Sequence, residues 1–240
     1  MSGGDAAVRT MPMTLRQLPL SLPHRAAMTR ADFLVGESNR AAIAAIAAWP
    51  HWPSPATVIV GPPGSGKTHL VEIWRTATGA AVASARRLGD VEVLASAGAV
   101  AVEDLQDGLD ERALFHLINR TAERGAALLL TSRKWPSVLP LGLPDLKSRL
   151  RAARPVELAA PDDVLLRHVL LKLFADRQLT VDPQVVEVIA QRMERSLAAA
   201  GAIVEALDSE ALAEGAPITR RMAVLVLSRI FDGQPDLFED

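Results

Sequence analysis

Short apolar runs punctuate the first two thirds of the chain: TVIV at 57–60, AAVA at 80–83, AVAV at 99–102, ALLL at 127–130 and the mixed PVEL at 155–158. Their brevity and β-branched content predict buried strands. Ahead of the first run, residues 38–48 carry helical spacing, with Ser38 as a candidate N-cap, and between the runs about 67–76 and 110–124 do so too. Strands alternating with helices predict an α/β fold with a parallel sheet covered on both faces. After Pro161 the strand signal stops. Stretches 162–176, 183–194, 196–213 and 219–231 read as helices, so a small all-helical domain is expected there. Residues 1–30 hold Gly3, Gly4 and three prolines with little periodicity, and read as a flexible tail. The expected division is 1–30, 31–159 and 160–240.

Composition narrows the function classes. With 240 residues, 49% hydrophobic and 22% charged, the chain can bury a sizeable core. A formal charge of −2 argues against coating nucleic acid through a strong basic field. The lack of cysteine removes disulfides, thiolate metal sites and thiol nucleophiles from consideration. No stretch reaches the roughly 18 apolar residues of a membrane span. Asp5, Arg9, Pro12, Pro19 and Pro23 interrupt any secretory leader. The expectation is a cytoplasmic protein with no membrane partner.

The strongest chemical signal is GPPGSGKT at 61–68, which fits G-x-x-x-x-G-K-[ST] at every fixed position. Gly61, Gly64 and Gly66 let the backbone wrap around phosphates. Pro62, Pro63 and Ser65 complete the loop. Lys67 supplies a charge for the β- and γ-phosphates, and Thr68 a hydroxyl for Mg²⁺. A strand precedes the loop and a helix opening with His69 follows, its positive end aimed at the anion. A second acid is needed at a strand end, and AVAVED at 99–104 supplies two. Glu103 is the candidate metal ligand, and Asp104 the group that polarises the attacking water.

The remaining motifs resemble the AAA+ ATPases, and among them the bacterial replication initiator DnaA. FLVGESN at 33–39 is similar to that family's adenine-side box, with Leu34 and Val35 against the base. LLLTSRKWP at 128–136 looks like a strand ending in sensor 1. Ser132 is assigned there, with Thr131 as its rival. LKSRL at 146–150 is close to the initiator's LKSRF, whose arginine reaches into a neighbour's nucleotide site. Arg149 takes that part, with Arg151 and Arg154 nearby. A guanidinium suits the task because it stays charged and forks onto phosphate oxygens. For the lid arginine, ERSLAAAGAIVEALD at 194–208 offers only Arg195, while the favoured register puts Ala198 at the initiator's arginine position.

Finally, QLPLSL at 17–22 resembles the hexapeptide by which bacterial proteins dock on the DNA polymerase sliding clamp. Leu18, Leu20 and Leu22 are its apolar side chains, and Gln17 its hydrogen-bonding group. With the lid-like helices ending near Asp240, the whole resembles the Hda family of DnaA-related AAA+ proteins. That resemblance implies a five-stranded parallel sheet, a helical lid, and ADP or ATP with Mg²⁺ as ligands. It also implies the sliding clamp and DnaA as partners, and DNA met only through the clamp. The implied function is negative regulation of replication initiation: Arg149 promotes ATP hydrolysis in DnaA while intrinsic hydrolysis here is weak at most. A homodimer would hide the finger until the clamp arrives. Competing readings are an autonomous ATPase such as a helicase loader, a DNA-binding module without chemistry, and a small-molecule kinase.

Overall fold

The computed structural model describes residues 28–106 and 108–232. Five strands form one sheet: β1 (Ala56–Val60), β2 (Ala81–Ser84), β3 (Ala99–Glu103), β4 (Ala127–Ser132) and β5 (Arg154–Glu157). Their order is β2-β3-β4-β1-β5, and every neighbouring pair is parallel. The expected five-stranded parallel α/β architecture is therefore what the chain adopts.

Parallel neighbours need crossovers, and helices supply them. The helices are α1 (Glu37–Ala47), α2 (Lys67–Thr78), α3 (Val91–Ala95), α4 (Glu111–Glu123) and α5 (Pro144–Ala152), then α6 (Asp163–Asp176), α7 (Pro183–Arg192), α8 (Leu197–Glu214) and α9 (Arg220–Asp232).

Strand side chains alternate between faces, which makes two cores from one sheet. Val58, Val60, Val100, Val102, Leu128 and Leu130 pack under α3, α4 and α5. Ile59, Ala101 and Leu129 face the other way, against Ile43 and Ile46 of α1 and Leu70 and Trp74 of α2. Being buried on both faces is why the strands read as continuous apolar runs. The last four helices share a separate core, built from Leu166, Leu170, Phe174, Ile189, Ile203 and Leu207 among others.

Among the described residues, two polar links join the helical unit to the sheet unit. Lys172 on α6 pairs with Asp32, ahead of α1, at 2.9 Å. The backbone N–H of Leu197, at the start of α8, donates to the Gly64 carbonyl at 2.8 Å. The lid helix thus begins against the glycine loop.

Candidate functional site

The loop at 61–66 leaves β1 at its carboxyl end, where parallel α/β sheets gather ligands. Gly61 N–H donates to the Ser132 carbonyl at 3.0 Å, tying the loop's start to the end of β4. A Cβ on Gly61 would lie 2.3 Å from the Leu158 carbonyl oxygen, so the first glycine is a steric requirement. Gly66 adopts φ +103 and turns the chain into α2. Lys67 is buried, and its Nζ donates to the carbonyls of Gly61 and Pro62, both at 2.7 Å. Burial lowers the Lys67 pKa, the nearby Arg133 lowers it further, and Asp104 and Glu103 oppose both. Pro62 and Pro63 are exposed, while Ser65 is buried and its Oγ donates to the Pro62 carbonyl at 2.9 Å.

Thr68 and Glu103, far apart in sequence, meet in space: Thr68 Oγ1 donates to Glu103 Oε1 at 2.8 Å. A hydroxyl beside a carboxylate is a hard oxygen pair that suits Mg²⁺. Asp104 follows at φ +64, an uncommon backbone state for a residue other than glycine. Two hydrogen bonds hold that turn. Asp104 N–H donates to Thr131 Oγ1 at 3.0 Å, and Leu105 N–H donates to the Thr131 carbonyl at 2.8 Å.

The β4 end departs from expectation. Ser132 was expected to reach phosphate or water, yet it is fully buried. Its Oγ lies 2.9 Å from the Leu105 carbonyl and 2.6 Å from the Lys134 carbonyl, donating to one at a time, and accepts from Lys134 N–H at 3.2 Å. The rival Thr131 is buried too and spends its Oγ1 on the Asp104 turn. Both hydroxyls fasten strand ends together. Arg133, Lys134 and Trp135, which follow the strand, are exposed.

At the start of α1, Asn39 locks the segment at 33–39. It accepts from Gly36 N–H at 2.9 Å and donates to the Leu34 carbonyl at 2.8 Å. Leu34 is half-buried, and Val35 is 48% exposed, open to a planar partner. His69 packs edge-on to Phe33, ring centroids 5.1 Å apart, and its Nε2–H donates to the Thr29 carbonyl at 2.9 Å.

Among the described residues, no cation of the last four helices is hydrogen-bonded to the loop. Arg195, expected among the nucleotide contacts, pairs with Asp163 of α6 at 3.0 Å and is well exposed. Position 198 does face the loop, since the Ala198 Cβ would lie 3.3 Å from a Cβ on Gly64. The residue there is alanine.

Arg149 belongs to a different edge. Together with Ser54, Ala56, Ile118 and Leu128 it lines a shallow pocket at the amino ends of β1 and β4. The glycine loop leaves the carboxyl end of β1, four residue rises or about 13 Å further along the strand. Arg149, Arg151 and Arg154 are all exposed and make no ion pair among the described residues. Gln17, Leu18, Leu20 and Leu22 lie outside the described residues.

No protein-family model and no curated protein matches the chain. Solved structures do. Domain III of the Thermotoga maritima replication initiation protein DnaA aligns with TM-score 0.72 at 19% identity, over 84% of this chain and 95% of that one. A replication initiator DnaA bound to AMPPCP and single-stranded DNA gives 0.63 at 18%, over 75% and 64%. The Thermotoga maritima RuvB Holliday junction branch migration motor gives 0.63 at 18%, over 81% and 69%. The fold is that of AAA+ domains such as DnaA domain III and RuvB. Among the described residues, no helix is long and apolar enough to cross a membrane.

Proposed function

We propose that this chain is a nucleotide-binding AAA+ regulator of replication initiation that works in trans. ADP or ATP sits on residues 61–69 between Val35 and the start of α8. Thr68 and Glu103 hold Mg²⁺, which when bound offsets phosphate charge. Arg149 is lent to the ATP site of the initiator DnaA and promotes hydrolysis there. The segment around Gln17, Leu18, Leu20 and Leu22 tethers the chain to the DNA-loaded sliding clamp, so DNA is met through the clamp.

The observation that carries this reading is the separation of Arg149 from Lys67. An arginine at the amino ends of β1 and β4 cannot serve a phosphate at their carboxyl ends. An exposed guanidinium on that edge is available to a second molecule. The kinship in fold with DnaA domain III supports an initiator-type partner, because AAA+ neighbours pair like with like.

The test is ATP hydrolysis by DnaA, measured with clamp, DNA and this protein. Wild type accelerates it, and Arg149→Ala does not, while Arg151→Ala and Arg154→Ala still do. Loss of clamp dependence in Gln17→Ala checks the tether. Rapid ATP turnover by the isolated chain, indifferent to the clamp, would favour the autonomous ATPase, a reading that the Thr68–Glu103 pair and Asp104 keep in view.

A further inference from the structure

Helix α5, which carries Arg149, starts without a cap of its own. Its N-cap residue is Leu143, whose side chain has no oxygen to offer, and Pro144 at N1 has no N–H. A residue of another helix fills the gap. Glu111, the first residue of α4, accepts from Gly142 N–H through Oε1 at 2.9 Å and from Leu143 N–H through Oε2 at 2.7 Å. Both oxygens of one carboxylate are thus spent on consecutive amides that enter α5. The same carboxylate lies at the amino ends of two helices, where negative charge is favoured. Helix α4 does not need Glu111 as its own cap, because Asp110 Oδ1 accepts from Ala113 N–H at 3.0 Å.

Packing alone leaves the tilt of α5 open. Within the helix only Leu146 and Leu150 are buried, and they lie one turn apart on a single line. The ends of the helix therefore set its tilt. Its far end is fixed by the strand that follows, since β5 opens at Arg154, the partner of Thr57 on β1. Its near end is fixed by Glu111. Arg149 is exposed between these two ties, about 9 Å of helix beyond Leu143.

Resting on the reading of Arg149 above, we propose that Glu111 is a positioning residue for the reaction in trans: it fixes the entry of α5 and so aims the Arg149 guanidinium at the partner's phosphates. Glu111 acts through the helix, not on the nucleotide. A guanidinium lent to a second molecule stabilises charge that develops in the transition state, so its value depends on placement. A misplacement of about 1 Å in such a group can cost up to roughly a hundredfold in rate. Glutamine keeps the size of glutamate but puts an NH₂ donor where one acceptor stood, facing an amide that also donates. One bond of the pair is lost and the start of α5 is released. Docking on the initiator, spread over the rest of the contact surface and the tether, is left intact.

The experiment is ATP hydrolysis by DnaA, with clamp and DNA, at rising concentrations of the full chain carrying Glu111→Gln, Glu111→Asp or Arg149→Ala. Glu111→Gln is expected to lower the maximal acceleration roughly tenfold, with the half-saturating concentration within about twofold of wild type. Glu111→Asp, which keeps both acceptors on a shorter stem, recovers part of the rate. Amide hydrogen exchange at Gly142 and Leu143 quickens in Glu111→Gln, while exchange at Leu129 in the sheet does not. An unchanged maximal rate in Glu111→Gln overturns the role of Glu111. So does an unchanged maximum reached only at higher concentration, which marks a loss of folded protein or of docking. If Glu111→Gln does not fold, Glu111→Asp carries the test: faster exchange at Gly142 and Leu143 with a wild-type maximal rate overturns the proposal. Full acceleration by Arg149→Ala, or none by wild type, overturns the reading in trans and the proposal with it.

Discussion

The backbone N–H of Leu197 donates to the carbonyl of Gly64 at 2.8 Å, so the first residue of the lid helix is bonded to the middle of the glycine loop. Gly64 has φ +67, and a Cβ there would lie 1.9 Å from Ser196 Oγ. Ser196 cannot retreat freely, because its Oγ caps α8 by accepting from Ala199 N–H. Gly64→Ala therefore forces the loop and the lid apart and strains the backbone. The expected cost is about 1–3 kcal/mol, read as a thermal midpoint lowered by roughly 2–8 °C. Gly79→Ala is the comparison: φ is +72 but nothing lies within 4 Å, so only backbone strain remains and the loss is smaller.

A second tie between the two units responds to acid. The Asp32 pKa is lowered to about 2, chiefly by the hydrogen bond from the Thr29 hydroxyl and then by that from Lys172. Its ordinary value is 3.8, so the folded value is the lower one. The contribution is thus fully present above about pH 4 and drains away as pH falls toward 2. Denaturant unfolding at pH 5 and pH 3 checks this. Asp32→Asn should lose less stability than wild type over that interval, since the amide does not titrate. Equal losses in the two proteins would remove Asp32 from the acid response.

The sheet was legible because its strands are buried on both faces, which leaves contiguous apolar runs such as TVIV and ALLL. Helix α3 was not, because five residues with two valines carry no helical period. Helix α5 hid behind Pro144, its N1 residue, with only Leu146 and Leu150 buried. At the candidate site, the strand, glycine loop and helix start around 61–68 were legible since they are contiguous in sequence. The setting of Ser132 was hidden for the opposite reason: its partner Leu105 lies 27 residues away, in the loop after β3. The partner of Arg195 was hidden likewise, its carboxylate being on α6. Sequence order names the groups near a phosphate, but pairings across elements decide which remain available.

Thr131→Val tests the support beneath Asp104. The change keeps the shape and β-branching of a buried strand residue. It removes the oxygen that accepts from Asp104 N–H, where φ is +64. An unsatisfied donor at a strained turn costs about 1–3 kcal/mol. Stability should fall by that amount in denaturant unfolding. Amide exchange at Asp104 should quicken more than exchange at Leu129, in the middle of the same strand as Thr131. Uniform acceleration along β4 would mean that the hydroxyl stabilises the strand rather than the turn.

Glu103→Gln separates metal binding from phosphate binding. Thr68 Oγ1 already donates to Glu103 Oε1 at 2.8 Å, and a glutamine oxygen keeps that hydrogen bond. The side chain, half-buried at the end of β3, retains its size and polarity, so stability should stay within about 0.5 kcal/mol of wild type. What disappears is one negative charge beside the hydroxyl. Mg²⁺ favours anionic oxygen, so its pull on the nucleotide weakens with that charge. Without metal, the removal of a carboxylate near Lys67 and the phosphates lessens repulsion of the nucleotide. The variant is therefore expected to bind ATP at least as well as wild type in EDTA, and to gain several-fold less from added Mg²⁺. Titrations with and without Mg²⁺ measure both quantities. An undiminished Mg²⁺ enhancement in Glu103→Gln would move the metal ligand from Glu103 to the neighbouring Asp104.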